Sequence, residues 1–165
     1  MNYTLRRSRS EDAETIIGWF STHEEVIIWG GSQVPEPLTA NWLAQQFLDA
    51  KRHYYVLTDE TGCVCGTYFL YTMPEERRVH LGRFAVAPNL RRRGLASLMI
   101  KYAVDAARSY GAQRLTLKVY EHNLVARRVY DREGFSVNKS APVERERHGV
   151  VLPMTFDLSS ASFQT

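Results

Sequence analysis

The apolar positions of this chain follow two periods that take turns along its length. Alternation at every second residue, rich in β-branched and aromatic side chains, marks half-buried strands, whereas steps of three and four mark one face of a helix. The strand pattern is clearest at 114–120, where Leu115, Leu117 and Val119 interleave with Arg114, Thr116 and Lys118. Further strands are expected at 3–7, 53–58, 63–72, 79–87, 135–137 and 150–158. The helical pattern is clearest over 95–110: Leu95, Leu98, Met99, Tyr102, Ala103, Ala106 and Tyr110 share a face, and Gly111 follows where a helix commonly ends. Acidic Glu11, Asp12 and Glu14 favour a helix start, and Ala13, Ile16, Ile17 and Phe20 give it an apolar face. A second helix is expected from 39 to about 51 with Trp42, Leu43 and Phe47 inward, and a short one over 123–133, ended by Gly134.

Two stretches fit neither period. Residues 21–38, with Trp29-Gly30-Gly31, Pro35 and Pro37, read as an irregular connection or broken helix, and 138–149 reads as a polar loop. Asp59-Glu60-Thr61-Gly62 has the length and composition of a hairpin link. Pro153 lacks a backbone N–H, so the last strand is expected on an edge or at a bulge.

Composition narrows the class. With 165 residues, 44% hydrophobic and 24% charged, the chain suits a single soluble domain, which at this size buries roughly 70% of its unfolded surface. No run approaches the ~18 apolar residues of a membrane span. Asn2, Tyr3 and Thr4, followed by Arg6 and Arg7, lack the apolar core of a secretion signal, so a cytoplasmic location is expected. Cys63 and Cys65 share one strand face without the spacing or partners of a zinc site, and no metal is expected. A net charge of +3 does not mark a nucleic-acid protein, and no basic stripe interleaved with aromatics accompanies it. Neither nucleic acid nor membrane is therefore an expected partner. The arginines, however, cluster at 91–93 and 127–128.

The first cluster sits where an anion site belongs. Arg91-Arg92-Arg93-Gly94-Leu95-Ala96 joins the strand at 79–87 to the long helix. The first N–H groups of a helix lack partners, its dipole adds partial positive charge, and a glycine lets a phosphate approach the backbone. A solvated basic turn is the plain alternative. The spacing of Arg91, Gly94 and Ala96 matches (Gln/Arg)-x-x-Gly-x-(Gly/Ala), and so resembles the coenzyme A loop of the GNAT family of N-acetyltransferases. Val119, Asn123, Ala126, Tyr130, Gly134 and Phe135 are similar to that family's second signature.

The resemblance spans nearly the whole element order and implies an α/β (α+β) fold. Its mixed, mostly antiparallel sheet would hold a parallel pair, 79–87 and 114–120, splayed apart at a β-bulge expected at Gly82-Arg83-Phe84. Acetyl-CoA is the implied cosubstrate. Phe84, Ala85 and Val86 would pair with its pantetheine arm, Arg91, Arg92, Arg93, Gly94, Leu95 and Ala96 would hold its phosphates, and Asn123 and Ala126 would help to seat it. Tyr130 would protonate the departing thiolate, a task that suits a phenol with a reference pKa near 10. The implied acceptor is a primary amine, on a small molecule or a protein or peptide, and at a reference pKa of about 10.4 its deprotonation would cost roughly 4.6 kcal/mol at pH 7. His80 occupies the place of a catalytic glutamate in the histone-modifying branch and is the expected base, with Glu75, Glu76 and Glu121 as rivals. Trp29 and Gly30 would wall the acceptor site or anchor a loop. The implied reaction is direct attack in a ternary complex by a monomer or homodimer. The alternative is a non-catalytic coenzyme A sensing or protein-binding module on the same fold.

Overall fold

A computed structural model describes residues 1–159. In chain order the elements are β1 (Thr4–Arg7), α1 (Asp12–Ile17), α2 (His23–Gly30), α3 (Ala40–Gln46), β2 (Arg52–Thr58), β3 (Val64–Met73), β4 (Arg78–Val86), α4 (Leu95–Ser109), β5 (Arg114–Tyr120), α5 (Leu124–Arg132), β6 (Ser136–Val137), β7 (Glu144–Glu146) and β8 (Gly149–Asp157). The strands form one sheet in the order β1-β2-β3-β4-β5-β8-β6, with β7 on the free flank of β8. Every neighbouring pair is antiparallel except β4 and β5, which α4 connects as a parallel crossover. No helix among the described residues is long and apolar enough to cross a membrane.

Alternation sends side chains to two cores. Tyr68, Leu70, Val79, Leu81, Leu115 and Leu117 face α4, where Leu95, Met99, Ile100 and Ala103 complete the larger core. Tyr54, Val56 and Phe69 face the other way, onto Ala13, Ile16 and Leu43 of α1 and α3. Buried Asp12 fixes the start of α1 against β1 through two hydrogen bonds from Arg6, at 2.8 and 2.9 Å.

Pairing between β4 and β5 stops after three residues: Arg78 opposite Arg114, Val79 opposite Leu115, and His80 opposite Thr116. Beyond that point β4 stays with β3 as far as Val86, and β5 stays with β8 as far as Tyr120, so the two middle strands diverge. The cause is local. Between the pairs Thr67–Ala85 and Phe69–Gly82, β3 supplies one residue and β4 supplies two, Arg83 and Phe84. This is a bulge at the expected place, with Arg83 in the left-handed region at φ 47°. Gly82 is required beside it, because a Cβ there would run into the Phe69 ring.

Three expectations are revised. The stretch 21–38 contains a regular helix, α2, whose start is fixed by Thr22 accepting from the Glu25 N–H at 3.2 Å and Glu25 accepting from the Ser21 N–H at 2.8 Å. The polar stretch 138–149 contains β7, which folds back on β8 and is tied to β5 by Lys118–Glu144 at 2.6 Å and Tyr120–Glu146 at 2.7 Å. Nor is β8 an edge strand. Pro153 sits opposite Lys118 on β5, in the gap between the β7 and β6 pairings, where no ladder partner needs its missing N–H.

Candidate active site

The splay brings three groups of residues to one place. On its outer rim, β4 gives way to a 3₁₀ turn at Pro88–Leu90 and then to the arginine turn. Arg91, Arg92 and Arg93 are all exposed, and Arg92 and Gly94 take left-handed backbone at φ 65° and 80°. Gly94 is the N-cap of the 15-residue α4 and offers no side chain to its first N–H groups. Open N–H groups, three guanidinium groups and aligned peptide dipoles together are the elements from which an anion seat can be built. Glycine is needed at 94 for its backbone angle alone, since a Cβ would meet nothing within 4 Å.

On the α4 face, the bulge turns Phe84 between two tyrosines. Its ring stacks on Tyr68 at 6.1 Å and meets the edge of Tyr130 at 6.0 Å. Tyr130 comes from the last turns of α5 and packs next on Phe135, 5.8 Å away. Burial pushes its phenol well above the usual range, so it is a neutral donor at physiological pH. The second signature is thus brought against β4, although Asn123 is also the N-cap of α5, accepting from the Ala126 N–H at 3.3 Å. The Asn-x-x-Ala spacing therefore has a capping role in its own right.

On the α3 face lies a cavity of about 620 Å³, bounded by both diverging strands and roofed by α2 and α3. Trp29 and Gly30 are on its wall, and Trp29 is an anchor as well: its indole N–H donates to the Arg83 carbonyl, in the bulge, at 2.9 Å. His80 reaches the same cavity, with Nδ1 3.0 Å from Thr116 Oγ1. Burial, followed by the fields of Arg78, Lys118 and Arg52, pulls its pKa down to about 4. The reference value near 6.5 does not apply here, and His80 is an unprotonated imidazole at neutral pH. Glu75, Glu76 and Glu121 are exposed and absent from the wall. The carboxylate that does line it is Glu146 of β7, which accepts from Tyr120 Oη.

Sequence reasoning missed Glu146 and treated Arg83 only as bulge backbone. The Arg83 side chain in fact spans the cavity floor. Its Nη1 donates to Tyr54 Oη at 2.6 Å and to Gln46 Oε1 at 3.4 Å, and its Nε donates to the Gly30 carbonyl at 3.4 Å. An arginine following a glycine in a strand was the available signal. No cluster of three or more His, Cys, Asp or Glu side chains suited to a metal ion occurs among the described residues.

Residues 11–135 match the family model described as Acetyltransferase (GNAT) family. GCN5-related N-acetyltransferase 6 of Arabidopsis thaliana is 31% identical over 65 residues, covering 39% of this chain and 23% of its own length. The uncharacterized N-acetyltransferase YdgE of Bacillus subtilis is 30% identical over 92 residues, covering 54% of this chain and 59% of YdgE. The chain thus spans less than two thirds of either relative. Among solved structures, spermidine N-acetyltransferase from Vibrio cholerae, in complex with CoA and spermine, superposes with a TM-score of 0.76 at 18% identity over 95% of this chain and 96% of that one. A family model that matches most of the chain and a fold shared with a solved acetyltransferase point the same way: the chain belongs to the GNAT family of acetyltransferases.

Proposed function

We propose that this protein transfers an acetyl group from acetyl-CoA to a primary amine by direct attack in a ternary complex. The observation that carries this reading is the divergence of β4 from β5 after His80. It leaves the β4 edge at Phe84, Ala85 and Val86 without a β5 partner, between an anion seat at Gly94 and a cavity on the opposite face. That edge would pair with the pantetheine arm. Arg91, Arg92, Arg93 and the α4 N–H groups at Leu95 and Ala96 would take the phosphates, with Asn123 and Ala126 flanking the thioester end. The amine nitrogen bonds to the acetyl carbon, the carbon–sulfur bond breaks, and the nitrogen gives up a proton. Tyr130 would protonate the leaving sulfur, and being neutral it does not repel the developing thiolate. His80 would accept the amine's proton, directly or through water. Its low pKa makes it a weak base that is always available, so desolvation of the amine must supply much of the driving force.

The test is thiol release from acetyl-CoA with a panel of amines, with the acetylated amine identified by mass spectrometry. Amine-dependent release with an N-acetyl product is expected. A folded protein that binds acetyl-CoA and releases no thiol with any amine is instead a coenzyme A sensing module.

A further inference from the structure

The cavity holds two guanidinium groups that pair with no carboxylate among the described residues. Three cationic side chains, Arg52, Arg83 and Lys118, line it, and Glu146 is its one carboxylate among the described residues. Lys118 is paired with Glu144 at 2.6 Å, outside the lining. Arg83 is not paired with any carboxylate among the described residues. Its hydrogen bonds go to a phenol, an amide and a backbone carbonyl, and its Nη2 has no acceptor among the described residues. The guanidinium carbon lies 5.2 Å from the Trp42 ring centre and 6.0 Å from that of Phe69. Arg52 lies over the same Phe69 ring at 5.3 Å and makes no ion pair among the described residues. Two half-buried guanidinium groups held on aromatic rings, neither with a carboxylate partner among the described residues, are placed to meet an anionic group of a ligand.

We propose that the acceptor is an amino acid in the chemical sense: a primary amine whose molecule also carries a carboxylate, taken by Arg83 and Arg52 while the amine lies toward His80 and the splay. The inference rests on the acetyl-transfer reading of the same site. A guanidinium fork matches a carboxylate in two parallel hydrogen bonds, and Arg83 is pre-set for this by Tyr54, Gln46 and Gly30. A polyamine would meet Arg52, Arg83 and Lys118 with only Glu146 to balance them. The positive field also favours the neutral, nucleophilic form of an amine placed beside His80. Trp29, Trp42 and Phe69 offer apolar wall for the rest of the acceptor.

The experiment separates binding from catalysis. Quenching of tryptophan fluorescence, with Trp29 and Trp42 on the wall, is titrated with two product-like pairs that differ only in a carboxylate. These are N-acetylphenylalanine against N-acetylphenethylamine, and N-acetylalanine against N-ethylacetamide. In at least one pair the carboxylate form should bind tenfold or more tightly. Arg83→Met and Arg52→Met should each bring that ratio toward one. Arg83 ties α2 and α3 to the bulge, so if its variant unfolds, Arg52→Met, which removes a ring contact and no hydrogen bond, decides. Equal affinities in both pairs, tighter binding of the uncharged forms, or no binding of any probe overturns the inference. In parallel, thiol release is measured with phenylalanine, phenethylamine and spermidine. A carboxylate preference in binding without acetyl transfer leaves the carboxylate site at Arg83 and Arg52 standing, but overturns the acceptor role together with the catalytic reading. Faster transfer to phenethylamine or spermidine than to phenylalanine keeps the catalysis and overturns the acceptor.

Discussion

Lowering the pH from 7 to 4.5 should destabilise this protein by an amount that His80 largely sets. In the unfolded chain a histidine takes its proton near pH 6.5, whereas in the folded protein burial and the fields of Arg78, Lys118 and Arg52 delay protonation of His80 to about pH 4. Above pH 6.5 neither state is protonated and the group costs nothing. Between those two values only the unfolded state binds the proton, so stability falls as pH falls, by about 1.4 kcal/mol per unit. At pH 4.5 the loss assigned to His80 reaches about 2.7 kcal/mol, a large share of the 5–15 kcal/mol that typically holds a domain together. Urea unfolding of wild type and His80→Gln at pH 7, 6, 5 and 4.5 isolates it, because groups such as Asp12 contribute to both proteins and cancel in the difference. The stability gap should shift steadily in favour of His80→Gln on going from pH 6.5 to 4.5. A gap constant across this range would show that His80 titrates normally and that its burial and the cationic field around it have been misread. The same shift predicts that activity has no ascending limb near pH 6.5 from this residue; the rise with pH should instead follow deprotonation of the amine.

Other perturbations address other parts of the site. Tyr130→Phe should lower turnover by ~100- to 10,000-fold while changing acetyl-CoA affinity little, and an unchanged turnover number with chemistry rate-limiting would leave the residue a packing role only. Acetyl-CoA at ~100 times its dissociation constant should stabilise the wild type by about 2.7 kcal/mol, read as a rise in thermal midpoint. Gly94→Glu should abolish that rise at a cost of roughly 1–2 kcal/mol for left-handed backbone, and an undiminished rise in the folded variant would take the turn out of the site. Gly82→Ala drives a methyl group into the Phe69 ring and should cost about 1–3 kcal/mol in urea unfolding; a neutral effect would mean that the bulge and ring move together freely.

The parts of the fold that the sequence makes legible are those where one local rule dominates. Leu115, Leu117 and Val119 alternate because β5 has one face in the main core, and α4 shows its stripe because its opposite side is solvated. Gly82 amid strand residues announces the bulge because only a glycine fits beneath Phe69. α2 read only as an irregular connection or broken helix because its apolar residues contact two separate clusters, Val26 and Ile27 one and Trp29 another, so no single stripe forms. β7 is Glu144-Arg145-Glu146, with no apolar period at all. Its pairing with β8 comes from the chain reversal before Gly149, and that reversal is what delivers Glu146 to the cavity. The charge of the cavity was hidden for a similar reason: Arg52, Arg83 and Lys118 lie on three strands and become neighbours only through the sheet. Asn123 shows the opposite case, a residue legible as part of a signature whose visible geometry is a helix cap.

The proposed acetyl transfer requires acetyl-CoA to be held along the edge of β4 that β5 abandons. Amide hydrogen exchange with and without saturating acetyl-CoA measures this directly. Exchange should slow for at least one amide within 84–86, where a new backbone partner arrives, and for the first amides of α4 at 95–97, while β1 at the far side of the sheet stays unchanged. Unaltered exchange at both places in protein shown to be saturated, or protection confined to another part of the sheet, would contradict the account.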